Sequence, residues 1–383
     1  MNEGSRVPAA ALPRRLPGID VLRALAASSV VVGHIVKWPW GYAGRDGFIG
    51  AVWRLVAAGL GTWGVGVFFV LSGLCIHLPV ARRLALGEPP RVALGPYFKR
   101  RFFRIYPPHA LVIGLSWLAA ATLTLPPDYV HYLSKPTSVQ FWAHVFMLHT
   151  FVPGATYSIN SVLWTIAIEA HFYLLYPLLL LLRRRMEMRT ICAGLFALML
   201  GLRALDHVLP PAFAGVLTNN FLGRWWEWVL GAVLAERLAR APFRSLPRGW
   251  VLAATLVAAV AYCAAEGLPH GVAIVAITAP FVHAAVVLWS ARLATREDRW
   301  LDRVLTSVGY RSYSLYLTHP IALTLFAVVV AGRLTIPWAQ VAGAFAFSIA
   351  AAWLYFVLVE RRFLPQSSGG RTVGELPVAA PIR

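Results

Sequence analysis

The sequence predicts an all-α, polytopic integral membrane protein, a bundle of about ten transmembrane helices with both termini in the cytoplasm. Of the 383 residues, 58% are hydrophobic and only 13% are charged, and the mean hydropathy is +0.64. Soluble domains carry charge on roughly a quarter of their residues, so this composition favours a chain that crosses a lipid bilayer several times.

Ten apolar runs are long enough to cross a bilayer, which takes about 17 to 25 mostly apolar residues. They lie near residues 19–37, 57–80, 105–125, 160–182, 189–207, 219–236, 250–267, 271–291, 312–330 and 337–359. A shorter, more polar run at 138–152 is predicted to be an outward loop or a re-entrant segment. The organisation is therefore a cytoplasmic tail over 1–17, a transmembrane domain over 18–363 and a disordered cytoplasmic tail over 364–383.

The distribution of basic residues sets the predicted orientation. They concentrate in the amino-terminal tail, in every second loop and at the carboxyl-terminal end of the last run, which an even number of spans brings to one side. Because loops rich in arginine and lysine stay in the cytoplasm, both termini are predicted to lie inside. The arginine-, alanine- and proline-rich usage indicates a bacterial gene, and hence a multi-pass protein of the cytoplasmic (inner) membrane.

Composition also excludes several classes of function. The formal net charge is +19, but it is spread between apolar runs without a nucleic-acid-reading motif, so no nucleic-acid partner is expected. Cys75, Cys192 and Cys263 all lie inside apolar runs, which argues against a disulfide framework. The histidines are scattered without HxxxH or CxxC spacing, so no metal is expected.

The first apolar run carries the strongest signal for a site. Asp20, Arg23 and His34 follow the i, i+3, i+4 rhythm of one helical stripe. At about 1.5 Å per residue, Arg23 and His34 are roughly 16 Å apart along the axis and within roughly 20° of the same face. Ionisable residues inside a span are costly and usually face a protein interior or a watery cavity, so the stripe predicts a functional site.

Two further basic residues mark the start of the third run. Arg101 and Arg104 are i, i+3 partners on one face, on the predicted cytoplasmic side. Paired guanidinium groups suit phosphates, which they bind bidentately. The alternative is ordinary anchoring of the helix at the lipid headgroups.

The fourth run contains a carboxylate about nine residues into an apolar helix. Thr165 and Tyr173, at i−4 and i+4, could form hydrogen bonds to this group, Glu169, and Trp164 precedes it by about one turn. A structural ion pair with an arginine is the alternative to a catalytic role.

In the second run Ser72 follows a series of small residues that predicts close helix packing.

The ninth run places Tyr313, Tyr316 and His319 on one face by i, i+3 spacing, and Glu360 ends the tenth run at the predicted cytoplasmic surface. A histidine beside tyrosines is more often a satisfied core group than a catalyst. His319 and Glu360 are therefore predicted to orient other groups or to stabilise the fold.

These stretches, in this order, resemble the acyltransferase-3 family of membrane-bound acyltransferases. The matching segments are Asp20…Arg23-x10-His34, Phe68–Gly73, Arg101–Pro107, Leu163–Glu169 with Phe172-Tyr173, Ser312–His319 and Val359-Glu360. The similarity covers roughly residues 17–363, as in the stand-alone form of the family. Thr165 departs from the serine that is common there, and Leu74 and His109 stand where aromatic residues are common.

The resemblance implies transfer of an acyl group, commonly acetyl, from acyl-coenzyme A to a hydroxyl of a carbohydrate or glycosylated acceptor. Cell-surface polysaccharides and lipopolysaccharide are typical acceptors of the family, and small glycosylated natural products such as macrolides are the alternative. By the same resemblance His34 matches the essential histidine of the family's Arg-x10-His motif, and Arg101 and Arg104 match its Arg-x-x-Arg motif.

The mechanism that fits these positions brings acetyl-CoA in from the cytoplasm, with its phosphates held by Arg101, Arg104 and Arg23. His34 then acts as general base on the acceptor hydroxyl, with Glu169 adjusting its basicity. A covalent acyl-histidine relay remains the alternative to direct transfer.

Supporting roles fall to the polar residues around this path. Three hydroxyl groups are candidate donors to the oxyanion, those of Ser72, Tyr173 and Tyr316, and Asp20 and Trp164 are supporting residues.

A sugar or metabolite transporter is the alternative of another class, because it too would have many spans and intramembrane charges. No pair of interrupted half-helices repeats along the chain, which weakens that alternative.

Overall fold

The structure is a computed structural model, and it describes residues 16–36, 48–123, 132–206, 208–210, 213, 215–240, 271–293, 299–330, 333 and 336–364. Within these residues the regular secondary structure is helical, and the β-structure amounts to one isolated bridge between Leu133 and Asn160. The predicted all-α fold class is confirmed for the part of the chain described.

Eleven α-helices follow one another along the described residues. They are α1 Pro17–Val36, α2 Phe48–Ala85, α3 Leu94–Thr122, α4 Ser138–Val145, α5 Leu163–Arg183, α6 Met188–Asp206, α7 Phe221–Arg240, α8 Gly271–Ala291, α9 Trp300–Tyr310, α10 Ser312–Val329 and α11 Pro337–Tyr355. The last helix continues through a π-helical turn, Phe356–Glu360, into the short helix Arg361–Phe363.

Helices occupy nine of the ten predicted spans, and the tenth, 250–267, lies outside the described residues, as do most of both tails. Six described helices are long and apolar enough to cross a membrane: α1, α2, α5, α6, α10 and α11 with its extension. The chain is thus a multi-pass helical protein by length and composition. The number of ten spans and the cytoplasmic termini stay predictions.

Three elements differ from the sequence prediction. Helix α2 begins at Phe48 rather than near 57, and α3 begins at Leu94, so its arginines lie inside the helix rather than before it. The sequence pattern does not predict helix α9, because the segment 292–311 has the composition of a basic loop. Its apolar residues recur about once per turn, with Trp300 and Val304 exposed on one face and Asp302 buried on the other.

Close helix packing in the second run is confirmed. A Cβ on Gly73 would lie 1.8 Å from the carbonyl oxygen of Trp228, and one on Gly231 would lie 1.9 Å from that of Val70. Helices α2 and α7 therefore approach at backbone distance along two turns, which only glycine permits. This contact fixes the position of the part of α2 that carries Ser72.

An ionic cluster ties α2, α5 and α7 together. The buried carboxylate of Glu236 accepts hydrogen bonds from Arg183 Nε at 2.6 Å and from Arg240 at 3.1 Å, and it lies 3.3 Å from His77 Nε2. The other ring nitrogen of His77 lies 3.1 Å from the hydroxyl of Tyr176. These contacts fix the positions of α2, α5 and α7 relative to one another along the bundle axis.

The two ends of the bundle differ in the polar residues that they carry. We call the end with residues 97–104 of α3 the arginine end, and the end with His34 of α1 the histidine end. Tyr97 at the arginine end donates a hydrogen bond to the carbonyl of Tyr173 at 3.1 Å, so α3 and α5 are joined there.

Candidate functional site

A cavity of about 500 Å³ opens among α1, α2, α3, α5, α9 and α10. Six of its lining residues are charged: Asp20, Arg23, Arg100, Arg101, Arg104 and Glu169. Its remaining wall is mostly apolar and aromatic. The structure therefore brings most of the residues that the sequence selected into one cavity.

Arg23 is the residue of α1 that lines the cavity nearest the histidine end. Its Nη1 is 2.9 Å from Asp20 Oδ1, and its Nη2 is 3.3 Å from the sulfur of Cys75 on α2. Gly309 of α9 packs on the backbone at Asp20, since a Cβ there would lie 1.9 Å from the Asp20 carbonyl oxygen. The guanidinium is thus fixed by two helices, with 20% of its side chain exposed.

The two arginines of α3 have different surroundings, although both line the cavity. Arg101 lies over the ring of Tyr173, with 5.4 Å between its Cζ and the ring centroid, and its buried Nε has no hydrogen-bond partner in the described part of the chain. Arg104 forms an ion pair with Glu360 and lies 5.0 Å over the ring of Tyr313. The charge of Arg104 is therefore neutralised within the protein.

Glu360 is held by the π-helical turn that ends α11. Its carboxylate is 1% exposed and also accepts a hydrogen bond from Ser314 of α10. One carboxylate thus joins α3, α10 and the end of α11. This geometry agrees with a structural or orienting role for Glu360.

Glu169 lies on the α5 wall within a hydrogen-bond network. Its Oε1 accepts from Ser72 at 2.8 Å and from Tyr173 at 2.5 Å, and Ser72 in turn accepts from Trp228 Nε1 at 3.2 Å. The hydroxyls of Ser72 and Tyr173 lie 3.3 Å apart. A charged acceptor with two donors is a stable arrangement inside an apolar bundle.

At its histidine end the cavity is bounded by Phe68, Thr165 and Tyr316, and Val65 is the lining residue of α2 nearest that end. The Thr165 hydroxyl lies 2.9 Å from that of Tyr316, and the Phe68 and Tyr316 rings are 6.1 Å apart in an edge contact. Trp164, next to Thr165, does not line the cavity and packs edge-on against Phe69 at 6.3 Å.

His34 lies beyond this wall and is not among the residues that line the cavity. Its ring packs edge-on against His319 at 4.9 Å and against Tyr132 at 5.3 Å. Its Nδ1 is 2.8 Å from the carbonyl oxygen of Val30. A carbonyl only accepts, so Nδ1 carries a proton, and Nε2 is the ring nitrogen at which a further proton can be taken up.

His319 is fully buried, and its Nδ1 lies 2.8 Å from the carbonyl of Tyr316 and 3.2 Å from that of Leu315. Its Nε2 has no hydrogen-bond partner within the described residues. The two histidines therefore form a pair at the histidine end. The structure puts Glu169 with Ser72 and Tyr173 on the cavity wall instead of in this pair.

Four contributors to the site were missed by the sequence analysis: Cys75, Trp228, Tyr132 and Phe68. Cys75 follows Ser72 by i+3, so helical spacing counted from Ser72 could have found it. Trp228 comes from α7, and Tyr132 donates to the carbonyl of His34 at 3.2 Å from a connecting segment. Only the tertiary packing brings those two together with the site.

A separate cluster of histidines lies at the carboxyl-terminal end of α4. The rings of His144 and His149 stack at 3.7 Å, and His109 Nε2 lies 3.2 Å from the carbonyl of His144. Burial lowers the pKa of His144 to about 4 and lowers that of His149 well below its usual value. In the described residues no group of histidines, cysteines or carboxylates has the geometry to hold a metal ion.

Comparison with known proteins agrees with this architecture. A family model described as an acyltransferase domain matches residues 16–357. The O-acetyltransferase OatA of Staphylococcus aureus strain NCTC 8325 / PS 47 is 27% identical over 236 residues, which cover 58% of this chain and 35% of that protein. A protein of S. aureus strain COL that carries the provisional name of an O-acetyltransferase is 24% identical over 333 residues, covering 80% of this chain and 50% of that protein.

The chain thus spans half or less of the length of these two relatives. No solved structure matches it. The family match covers every residue that lines the cavity except Leu364, and it includes His34 and His319.

Proposed function

Since the chain belongs to the acyltransferase family whose domain covers residues 16–357, we propose that it is a membrane O-acetyltransferase. In this proposal it moves an acetyl group from acetyl-CoA to a hydroxyl group of a carbohydrate or glycosylated acceptor. The names of the relatives support an oxygen acceptor. The observation that carries the proposal is the arginine-lined cavity that ends one side chain away from the His34–His319 pair.

The size and charge of the cavity support acetyl-CoA as the donor. A volume of about 500 Å³ lies within the range of small-molecule sites, roughly 300 to 1,000 Å³. Arg101 and Arg100 offer guanidinium groups to the phosphates of coenzyme A at the arginine end, with Arg23 further inward. The roughly 16 Å between Arg23 and His34 along α1 suits an extended pantetheine arm.

His34 is the proposed general base. Its basic Nε2 takes the proton of the acceptor hydroxyl while the hydroxyl oxygen attacks the thioester carbonyl carbon. The C–O bond forms, the C–S bond breaks, and the proton passes to the departing thiolate to give free coenzyme A.

The proposed cellular setting is the cytoplasmic membrane, with the arginine end facing the cytosol that supplies acetyl-CoA. Modification then takes place toward the histidine end. A surface polysaccharide or lipopolysaccharide is the proposed acceptor, and Trp164 with exposed Tyr157 near that end gives aromatic surface of the kind that stacks on sugar rings.

Cys75 allows donor binding to be measured without any acceptor. It lines the cavity beside Arg23, whereas Cys192 is buried elsewhere and is 8% exposed. In a variant with Cys192→Ser and Cys263→Ser, we expect a small maleimide to label Cys75 and acetyl-CoA to slow that labelling. Acetyl-CoA has no free thiol, so protection reports occupancy of the cavity.

The matched controls separate occupancy from other effects. Adding Cys75→Ser should remove the label, and acetate should give no protection. Adding Arg101→Ala should weaken protection at equal protein stability. Labelling of Cys75 that acetyl-CoA leaves unchanged at millimolar concentration would refute the assignment of the donor to this cavity.

A further inference from the structure

The donor cavity and the proposed base lie on opposite sides of a wall. Tyr316 lines the cavity, and the centroid of its ring is 5.9 Å from that of His319, which in turn lies 4.9 Å from that of His34. Neither histidine is among the lining residues. An acetyl group that enters from the arginine end therefore meets the Tyr316 side chain before it can reach His34.

Hydroxyl contacts hold this wall in place. The Tyr316 hydroxyl lies 2.9 Å from the Thr165 hydroxyl and 3.4 Å from the carbonyl oxygen of Val162. The Thr165 hydroxyl also lies 3.1 Å from that carbonyl. The two hydroxyl groups share one carbonyl acceptor, that of Val162. The Tyr316 hydroxyl is therefore held by one short contact, with Thr165, and one long contact, with the Val162 carbonyl.

The Tyr316 ring also makes edge contacts with two other rings, Phe68 at 6.1 Å and His319 at 5.9 Å. Such contacts are compatible with more than one side-chain rotamer. The contact that fixes the hydroxyl end of the side chain is thus made by a threonine of another helix.

We propose that Tyr316 is a gate between the donor cavity and His34, and that Thr165 is the residue that latches it. This inference rests on the proposed function, because it assumes that acetyl-CoA occupies the cavity and that His34 is the base. With the gate closed, the thioester is kept away from His34 and from water at the histidine end. Opening releases the Tyr316 hydroxyl from Thr165 and joins the two compartments.

The closed gate prevents hydrolysis of the donor, and the rate of that hydrolysis can be measured. If the thioester met His34 without an acceptor, a water molecule could take the place of the acceptor hydroxyl. His34 would take a proton from the water, the water oxygen would attack the carbonyl carbon, and the C–S bond would break. The products would be acetate and free coenzyme A, so a weakened gate wastes the donor by hydrolysis.

The experiment measures free thiol released from acetyl-CoA by the detergent-purified full chain without any acceptor. Thr165→Val removes the latch and keeps the side-chain shape, and Tyr316→Phe removes the same contact from the other side. We expect each to raise the hydrolysis rate roughly 5-fold, the effect of one neutral hydrogen bond on an equilibrium. Tyr316→Ala, which removes the ring, should raise it further.

Thr324→Val is the matched control. Thr324 lies on the same helix as Tyr316, is fully buried, and donates to a backbone carbonyl, that of Pro320, at 2.8 Å, but it does not line the cavity. Its loss should leave hydrolysis at the level of the unmodified chain. Adding His34→Ala to Thr165→Val should return hydrolysis to that level, because the wasteful route passes through His34.

The outcomes separate this inference from the proposed function. Protection of Cys75 by acetyl-CoA should be equal in the unmodified chain and in Thr165→Val, and its absence in both would refute the donor assignment itself. With binding intact, hydrolysis by Thr165→Val and Tyr316→Phe no higher than by Thr324→Val overturns the gate. If Tyr316→Ala does not fold, the comparison of the two conservative variants with Thr324→Val decides the question.

Discussion

Arg101 and Arg104 belong to one sequence motif, but their surroundings predict different consequences of losing them. Arg104 is paired with buried Glu360, whereas Arg101 has only the face of Tyr173 as its described partner and keeps a buried Nε without a hydrogen bond. We therefore expect Arg101→Ala to weaken donor binding with little loss of stability. Arg104→Ala should mainly destabilise the protein.

The magnitudes follow from the contacts. A hydrogen bond to a charged group is worth about 1.5 to 3 kcal/mol, so Arg101→Ala should raise the apparent Kd for acetyl-CoA roughly 10- to 150-fold. Removing Arg104 leaves the 1% exposed Glu360 without its cation, which costs about 3 to 5 kcal/mol for a buried pair. Ser314 still donates to Glu360, so the lower end of that range applies.

Two measurements on the same preparations test this division. Protection of Cys75 against maleimide gives the apparent Kd, and thermal unfolding in detergent gives stability without ligand. Arg101→Lys keeps the charge but loses the planar fork, and it should fall between Arg101→Ala and the unmodified chain. Equal donor affinity in Arg101→Ala and the unmodified chain, or an Arg104→Ala protein as stable as Arg101→Ala, would refute the reasoning.

Three further predictions concern the fold. Glu236→Gln removes the charge from a buried carboxylate that accepts from two arginines, and we expect a loss of roughly 3 kcal/mol, measured as a lower unfolding temperature. Gly73→Ala would place a Cβ 1.8 Å from the Trp228 carbonyl oxygen, so it should impair folding, seen as reduced yield of monodisperse protein. Because burial depresses the pKa of His144 to about 4, the unfolded protein binds more protons at this residue below pH 6.5, and His144 alone should lower stability by about 2 kcal/mol between pH 7 and pH 5. His149, whose pKa burial also lowers, adds to that fall. His144→Gln should therefore reduce the pH dependence by the share of His144 without abolishing it, and a profile unchanged by this variant would contradict the assignment.

The helical class and most helix positions are predictable from hydropathy, because a span must be long and apolar whatever its neighbours are. Helix boundaries and α9 are not. The arginines of α3 interrupt the apolar pattern but not the helix, since their side chains reach into the cavity. Helix α9 is short and amphipathic, and its buried Asp302 is indistinguishable in the sequence from a solvated loop residue.

The site is predictable where its residues share one helix. The spacing on α1 selects Asp20 and Arg23, and their 2.9 Å contact follows directly from i, i+3 geometry. Contacts between helices are not predictable from spacing. The sequence suggests that Glu169 adjusts the basicity of His34, but in the structure Glu169 binds Ser72 and Tyr173, and that influence stays untested.

The separation of His34 from the cavity likewise depends on how α10 is rotated against α1 and α5. That rotation puts Tyr316 on the cavity wall and His319 against His34, although the two side chains are only one helical turn apart. No single-helix pattern contains this information.

The measurement that tests the central claim most directly is the alkali-released acetate bound to envelope carbohydrate in bacterial cells that produce the protein. The unmodified chain is expected to raise this ester-linked acetate, and His34→Ala is expected to leave it at the level of cells without the protein, at equal amounts in the membrane. His171→Ala is the matched control, because His171 stacks on Phe221 at 5.1 Å and does not line the cavity. It should retain the increase. Ester-linked acetate raised equally by His34→Ala and by the unmodified chain would contradict the role of His34 as the base of an O-acetyltransferase.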